Sequence, residues 1–173
     1  PSFSAGCECV TLSHRGDIML PELLTAQADS LYEARVPAVS RLANILCLLY
    51  ESSDQINWVG LYLYDESSGS CFLGPFFGKP ACMEIRKSKG VIGAAIDRRQ
   101  TLRVDDVLSF DGHIACDAAS RSECVILLRK PDGSLMGVLD VDALCTGFFS
   151  EQDQRILETV SCRIEALAGC IIL

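Results

Sequence analysis

Two short apolar runs joined by a turn impose the strongest constraint on the fold of this chain. The runs Cys124–Lys130 and Leu135–Val141 flank residues 131–134, whose sequence Pro-Asp-Gly-Ser is typical of a tight turn. This arrangement predicts a β-hairpin. The alternating runs Ile56–Tyr64 and Ser70–Phe77 predict a second one. Antiparallel pairing should therefore dominate the middle of the chain.

Helical patterns stand on both sides of the hairpins. Apolar residues recur every three or four positions over residues 38–52, directly after Pro37, and a shorter helix is predicted over 21–35. Near the C-terminus, Ser150 and Asp153 have the spacing of a helix cap and precede a long amphipathic segment. Terminal helices with antiparallel strands between them predict an α+β fold.

The remaining patterns complete a single domain. A short helix is predicted over Val91–Arg99, and short strands over 80–87 and Thr101–Val104. Residues 1–20 have no clear periodicity, so we expect an N-terminal arm followed by one domain over 21–173.

Composition limits the classes of function. The 173 residues are 49% hydrophobic and 22% charged, which allows a sizeable core, and the net charge is -8. An acidic chain without a basic run is a poor nucleic-acid binder. Apolar stretches such as residues 166–173 are shorter than the roughly 18 residues of a membrane span, and no secretory signal pattern is visible. We expect no binding to nucleic acid or membrane.

The ten cysteines are best explained as thiols. A domain of this size folds without disulfides, and residues such as Cys47 and Cys124 stand within apolar runs, so most should be reduced core residues of a cytoplasmic protein. Cys7 and Cys9 form an isolated pair, and no C-x-x-C motif occurs. We therefore expect neither a metal nor another cofactor.

Cys116 has a different environment. It is followed by Asp117 and then by small and polar residues, whereas a structural cysteine normally stands among apolar neighbours. This setting favours a reactive thiol at a pocket wall. His113 is close in sequence, but contact across a loop does not follow from that spacing, and a structural role is favoured for it.

Two carboxylates interrupt the last apolar run. Side chains alternate along a strand, so Asp140 and Asp142 share one face, while Leu139 and Val141 share the other. Glu123 begins the preceding strand and would join them if it faces the same pocket. Three clustered acids cannot all ionise easily, so at least one should have a raised pKa. The alternative is that each is an ordinary solvent-facing or cap-bonded carboxylate.

With these residues in view, the chain resembles the free methionine-(R)-sulfoxide reductases, enzymes built on a GAF domain. The resemblance extends from about Leu42 to Leu167. It is carried by residues 57–62, 73–82, 89–93, 111–117, 122–123 and 137–142.

The resemblance implies that Cys116 is the nucleophile that attacks the sulfoxide sulfur and that Cys82 resolves the resulting sulfenic acid as a disulfide. It implies that Glu123, Asp140 and Asp142 bind the sulfoxide oxygen and the substrate ammonium group. A thioredoxin-like dithiol reductant and a homodimer are also implied, without a cofactor.

Further substrate contacts are implied at Trp58, Tyr62, Ile114 and Ala115, with the two aromatic rings around the methyl end. From the sequence pattern alone, both rings would also suit ordinary core packing. One departure is Ile92, where many members have a third cysteine. The competing interpretation is a non-catalytic GAF sensor that binds a small ligand.

Overall fold

The structure is a computed structural model that describes residues 23–112 and 118–172. Its centre is a six-stranded antiparallel sheet with the strand order β3-β2-β1-β6-β5-β4. The strands are β1 (Ile56–Asp65), β2 (Ser70–Gly78), β3 (Glu84–Arg86), β4 (Leu102–Val104), β5 (Ser122–Arg129) and β6 (Leu135–Ala143). The helices are α1 (Leu23–Glu33), α2 (Ala38–Tyr50), α3 (Gly90–Arg98) and α4 (Glu151–Ile172), with a 3-10 turn at Val107–Ser109.

These elements confirm the predicted α+β fold, both hairpins and the terminal helices. The predicted cap of α4 is present: the Ser150 N–H donates to the Asp153 carboxylate at 2.8 Å, and the Asp153 N–H donates to the Ser150 hydroxyl at 3.2 Å. The strand predicted over 80–87 is shorter, covering only β3. Pro80 lacks an N–H group for a ladder, which favours an irregular segment before β3.

The two sides of the sheet have different partners. On β6, Leu139 and Val141 join a core with α1, α2 and α4; we call this side the helix face. Val138 lies on the opposite side, in a second cluster with residues of α3, and we call that side the pocket face. The alternation predicted for this strand is therefore confirmed.

Some predictions fall on other parts of the chain. The N-terminal arm over 1–20 lies outside the described residues, as do Cys116, His113, Ile114 and Ala115. Within the described segments, no helix is long and apolar enough to cross a bilayer.

Candidate active site

A cavity lies on the pocket face between the sheet and the first turn of α3. The space between its walls is about 560 Å³, a figure that includes open solvent at its mouth. The described residues that line it are Trp58, Tyr62, Lys79, Pro80, Ala81, Ile85, Lys89, Gly90, Val91, Ile92, Ser120, Glu123, Asp140 and Asp142. Aromatic and aliphatic walls thus surround a group of acids.

Strand register assembles the three predicted acids. Glu123 on β5 is paired with Asp142 on β6, and Asp140 is two residues before Asp142 on the same face. One carboxylate oxygen from each acid lies within 4.8 Å of the others. Glu123 and Asp140 are only 7% and 5% exposed. The predicted cluster is therefore confirmed, and the alternative of solvent-facing carboxylates is wrong for these two residues.

Burial gives the cluster unusual electrostatics. Desolvation raises the pKa of Glu123 well above its ordinary value, and the negative charge of Asp142 raises it further. Desolvation followed by the charge of Glu123 raises the pKa of Asp140 in the same way. A hydrogen bond between the Glu123 and Asp140 carboxyl groups requires a shared proton. Burial and the close contact of the acids thus agree with the expectation of at least one raised pKa.

One atom of this cluster lacks a partner. Oδ1 of Asp140 is buried and has no hydrogen-bond partner among the described residues. Leaving a buried polar atom unsatisfied costs roughly 1–3 kcal/mol, so such an atom in a cavity indicates a place where a ligand is bound. The cluster can offer a bound molecule both a proton and negative charge.

The same geometry is compatible with a cation. Metal ions are usually bound by His, Cys, Asp or Glu side chains. Within the described part of the chain, one cluster of such side chains is close enough to hold an ion, and it consists of Glu123, Asp140 and Asp142. A divalent ion would need carboxylates free of protons, whereas burial favours their protonated forms. An ammonium group carries less charge and donates hydrogen bonds, so it suits a cluster that keeps one proton.

An aromatic wall stands beside the acids. The Trp58 ring stacks on Tyr62, with ring centroids 5.8 Å apart, and on Phe76, with ring centroids 5.5 Å apart. The indole N–H donates to the Lys79 carbonyl at 3.1 Å, which fixes the ring. Both Trp58 and Tyr62 are buried, so the two interpretations, core packing and pocket wall, hold together.

Sequence reasoning gave no role to Gly60 in this wall. A Cβ atom at Gly60 would collide with the Trp58 ring and with Cβ of Phe76, so the position must lack a side chain for the stack to form. The available signal was a glycine within a strand, which often marks such a close approach. Phe76 and the first turn of α3 were likewise not predicted as parts of the site.

The described thiols differ according to their position. Cys82 is half-buried beside the cavity, and its carbonyl accepts a hydrogen bond from the Tyr62 hydroxyl at 2.9 Å. Burial raises the pKa of Cys71 to about 12. Cys124 lies buried on the helix face, where desolvation raises the pKa of its thiol as well. Of these three, Cys82 has the environment of a thiol that can react.

No family model matches the chain. Free methionine-R-sulfoxide reductase of Escherichia coli is 41% identical over 142 residues, which are 82% of this chain and 84% of that protein. The structure of fRMsr of Staphylococcus aureus in complex with substrate has a TM-score of 0.74 at 45% identity, covering 84% of this chain and 93% of that one.

A second solved structure extends the comparison. Free methionine-R-sulfoxide reductase from Neisseria meningitidis, in complex with its substrate, has a TM-score of 0.77 at 36% identity and covers 84% of this chain and 86% of that one. A solved GAF domain has a TM-score of 0.74 with the same coverage of this chain. On this evidence, the chain belongs to the free methionine-R-sulfoxide reductase family and has the GAF fold.

Proposed function

We propose that the protein reduces free L-methionine-(R)-sulfoxide to methionine. The observation that carries the proposal is a buried Asp140 oxygen with no partner among the described residues, in an acid cluster that faces an aromatic-walled cavity. Family membership supports the same reaction, because the relatives named above are free methionine-R-sulfoxide reductases.

The proposed chemical step transfers oxygen from substrate to enzyme. The Cys116 thiolate attacks the sulfoxide sulfur, and the sulfoxide oxygen takes a proton. The hydroxyl group then passes to the Cys116 sulfur as the new sulfur–sulfur bond breaks, and the products are methionine and a sulfenic acid on Cys116. The cysteine sulfur is oxidised by two electrons and the sulfoxide is reduced by two. Oxygen is a poor leaving group unless it is protonated or hydrogen-bonded. We propose that the buried proton shared by Glu123 and Asp140 is donated to the sulfoxide oxygen.

We also propose that the acid cluster binds the ammonium group of the substrate. Asp142 is less buried than Asp140 and completes the acid group, so it is well positioned to contact a cation at the cavity wall. We assign Trp58 and Tyr62 to the methylthio end, because their stacked rings offer an apolar surface. Substrate contacts by Ile114 and Ala115 remain part of the proposal through the family resemblance.

Recycling requires a second thiol. We assign it to Cys82, which would condense with the Cys116 sulfenic acid to form a disulfide and release water. Ile92 lines the cavity and is not a thiol, so recycling falls to Cys82. A thioredoxin-like protein would then reduce the disulfide. The proposal includes a cytoplasmic homodimer without a metal or another cofactor.

Separated epimers provide the direct test. The protein is incubated with dithiothreitol and either free methionine-(R)-sulfoxide or the S epimer, and methionine is measured. We expect methionine from the R epimer. Binding of the sulfoxide without any methionine would instead favour the alternative function, a non-catalytic GAF sensor.

The substrate class is tested by removing its charges. An amide in place of the ammonium removes the positive charge that the acid cluster would bind, at roughly 2–5 kcal/mol, or about 30-fold to several thousandfold in catalytic efficiency. We therefore expect free methionine-(R)-sulfoxide to be strongly preferred over its N-acetyl, C-amide derivative. Equal efficiencies would show that the acids do not bind the ammonium group.

A further inference from the structure

A basic segment borders the cavity of this acidic protein. Residues 79–89 contain four basic residues and one acidic residue, whereas the whole chain has a net charge of -8. The single acid, Glu84, accepts a hydrogen bond from the Ser70 hydroxyl at 2.7 Å and lies 3.9 Å from the Arg86 guanidinium. The Arg86 side chain is 81% exposed. The Lys87 ammonium lies 3.2 Å from the Asp97 carboxylate, so a second acid also borders the segment. Four basic side chains against these two acids still leave a net positive charge at this edge of the sheet.

Exposed apolar side chains lie at the same edge. Met83 is 80% exposed and Phe72 41% exposed. The Met83 carbonyl accepts the Leu73 N–H at 3.0 Å, so Met83 lies beside this part of β2. The register pairs Phe72 with Glu84, which places Phe72 and Arg86 on the same face of the sheet. We call Phe72, Met83, Arg86 and Lys87 the edge patch.

The edge patch also offers backbone groups. Strand β3 is the last in the strand order and pairs only with β2 among the described residues. On the open side of β3 the Arg86 carbonyl already accepts the Lys89 N–H at 3.1 Å, so the backbone groups left for a partner segment are those around Glu84. Met83 directly follows Cys82, so a partner bound along this strand would lie next to that thiol.

We propose that the edge patch is the docking surface for a dithiol reductant protein with an acidic rim around its reactive cysteines. The proposal rests on the proposed function, because it requires Cys82 to be part of the disulfide formed in turnover. Charge complementarity would speed the encounter, and the apolar side chains with the open strand would hold the complex.

The exchange balances in two steps. A partner thiolate attacks the Cys82 sulfur and forms a mixed disulfide, and the Cys116 sulfur leaves with the electron pair of the broken bond. The partner's second thiolate then attacks the partner sulfur of the mixed disulfide and releases the Cys82 thiolate. The partner is left as a disulfide, oxidised by two electrons, and the two protons from its thiols are taken up by Cys82 and Cys116.

The test compares two reductants. Met83→Ser and the double variant Arg86→Glu, Lys87→Glu are assayed with an acidic thioredoxin and its reductase, and separately with dithiothreitol. Val39→Ser and Arg155→Glu are matched controls, because Val39 is also exposed and the Arg155 side chain is 65% exposed on α4. Each variant is measured at low and high ionic strength.

We expect kcat/KM for thioredoxin to fall about 10-fold in the charge variant at low salt, and about threefold or more in Met83→Ser. Rates with dithiothreitol and the behaviour of both controls should match the unmodified protein. An unchanged kcat/KM for thioredoxin, or an equal loss with dithiothreitol, would overturn the docking surface. No methionine from the unmodified protein with dithiothreitol would instead overturn the proposed function, and this inference with it.

Discussion

The helix face and the pocket face of the sheet bury different kinds of side chain. On the helix face, Leu139, Val141 and Cys124 are fully buried against apolar neighbours from the helices. On the pocket face, Asp140 from the same strand is as well buried but retains an oxygen without a hydrogen-bond partner among the described residues. All four of these residues are buried. The pocket face thus keeps a polar atom that the described part of the fold does not satisfy, whereas these three helix-face side chains pack among apolar neighbours.

Adjacent residues of β6 therefore have different roles: one stabilises the domain and the next belongs to the candidate active site. Dry apolar packing on the helix face stabilises the domain, whereas desolvated acids on the pocket face destabilise it unless they keep a proton or bind a ligand. The period of two along a strand allows both to be encoded in the same short segment. Substitutions at neighbouring positions should therefore have opposite consequences.

Cysteine substitutions should give the largest contrast. We expect Cys116→Ser to lower sulfoxide reduction by at least about 10⁴-fold, since the nucleophile is lost. Cys82→Ser should still complete one turnover and then stop at the sulfenic acid unless a small thiol is supplied. Cys124→Ser should keep its activity per folded molecule and lose about 1–3 kcal/mol of unfolding free energy, because a hydroxyl replaces a buried thiol.

Single-turnover methionine release, thioredoxin-coupled assays and urea denaturation distinguish these variants. Full thioredoxin-coupled activity of Cys116→Ser would disprove the proposed nucleophile. A disulfide from Cys116 to a cysteine other than Cys82, found by mass spectrometry after one turnover, would give the recycling role to that residue.

Adjacent residues of β6 provide the next contrast. Asp140→Asn should lower kcat about 10²- to 10³-fold, because it removes a carboxyl group from the proton-sharing pair. The free energy of unfolding of Asp140→Asn at neutral pH should equal that of the unmodified protein or exceed it by up to about 3 kcal/mol, because an amide has no charge to desolvate. Leu139→Ala should cost about 2–5 kcal/mol of stability, with activity per folded molecule nearly intact. Loss of activity in both variants to the same extent would contradict the separation of the two faces.

The pH dependence should reveal the same pocket acids. The raised pKa values of Glu123 and Asp140 mean that the native state holds protons which the unfolded chain releases near pH 4. The free energy of unfolding should therefore fall as pH rises from about 4 through the raised values. Asp140→Asn should flatten this slope, whereas Leu139→Ala should lower the curve without changing its shape.

Activity should also fall as pH rises through the raised apparent pKa, although more thiolate forms at higher pH. Rates that increase steadily up to the ordinary cysteine value of about 8.5 would remove the acid from the mechanism. The rate constant for methionine release in a single turnover, measured as a function of pH, tests this without interference from recycling.

Tyr62→Phe should have the smallest effect. The ring and its contact with Trp58 remain, but the hydrogen bond to the Cys82 carbonyl is lost, which costs about 0.5–1.5 kcal/mol. We expect a loss of up to about 10-fold in disulfide formation, with methionine release in the first turnover unchanged. Quenched-flow trapping of the sulfenic acid would measure it. A slower first turnover would show that the hydroxyl acts on the substrate instead.

Local patterns were sufficient for most of the architecture. Alternation along Leu135–Val141, the turn after Lys130 and the cap formed by Ser150 and Asp153 depend on neighbours in sequence, so hairpins and terminal helices were predictable. The short extent of β3 was not, because the path of residues before it depends on contacts across the cavity, such as the bond from Trp58 to the Lys79 carbonyl.

By itself, the sequence determined that Asp140 and Asp142 share a strand face and that the family resemblance points to Cys116 and Cys82. Tertiary structure decided that Glu123 lies against these acids, because pairing of β5 with β6 sets that distance. It also decided that Asp140 has an oxygen left without a partner in residues 23–112 and 118–172, and that Gly60 makes room for Trp58. The physical reason is that periodicity fixes which way a side chain points, whereas desolvation and partners depend on what other segments bring to that place.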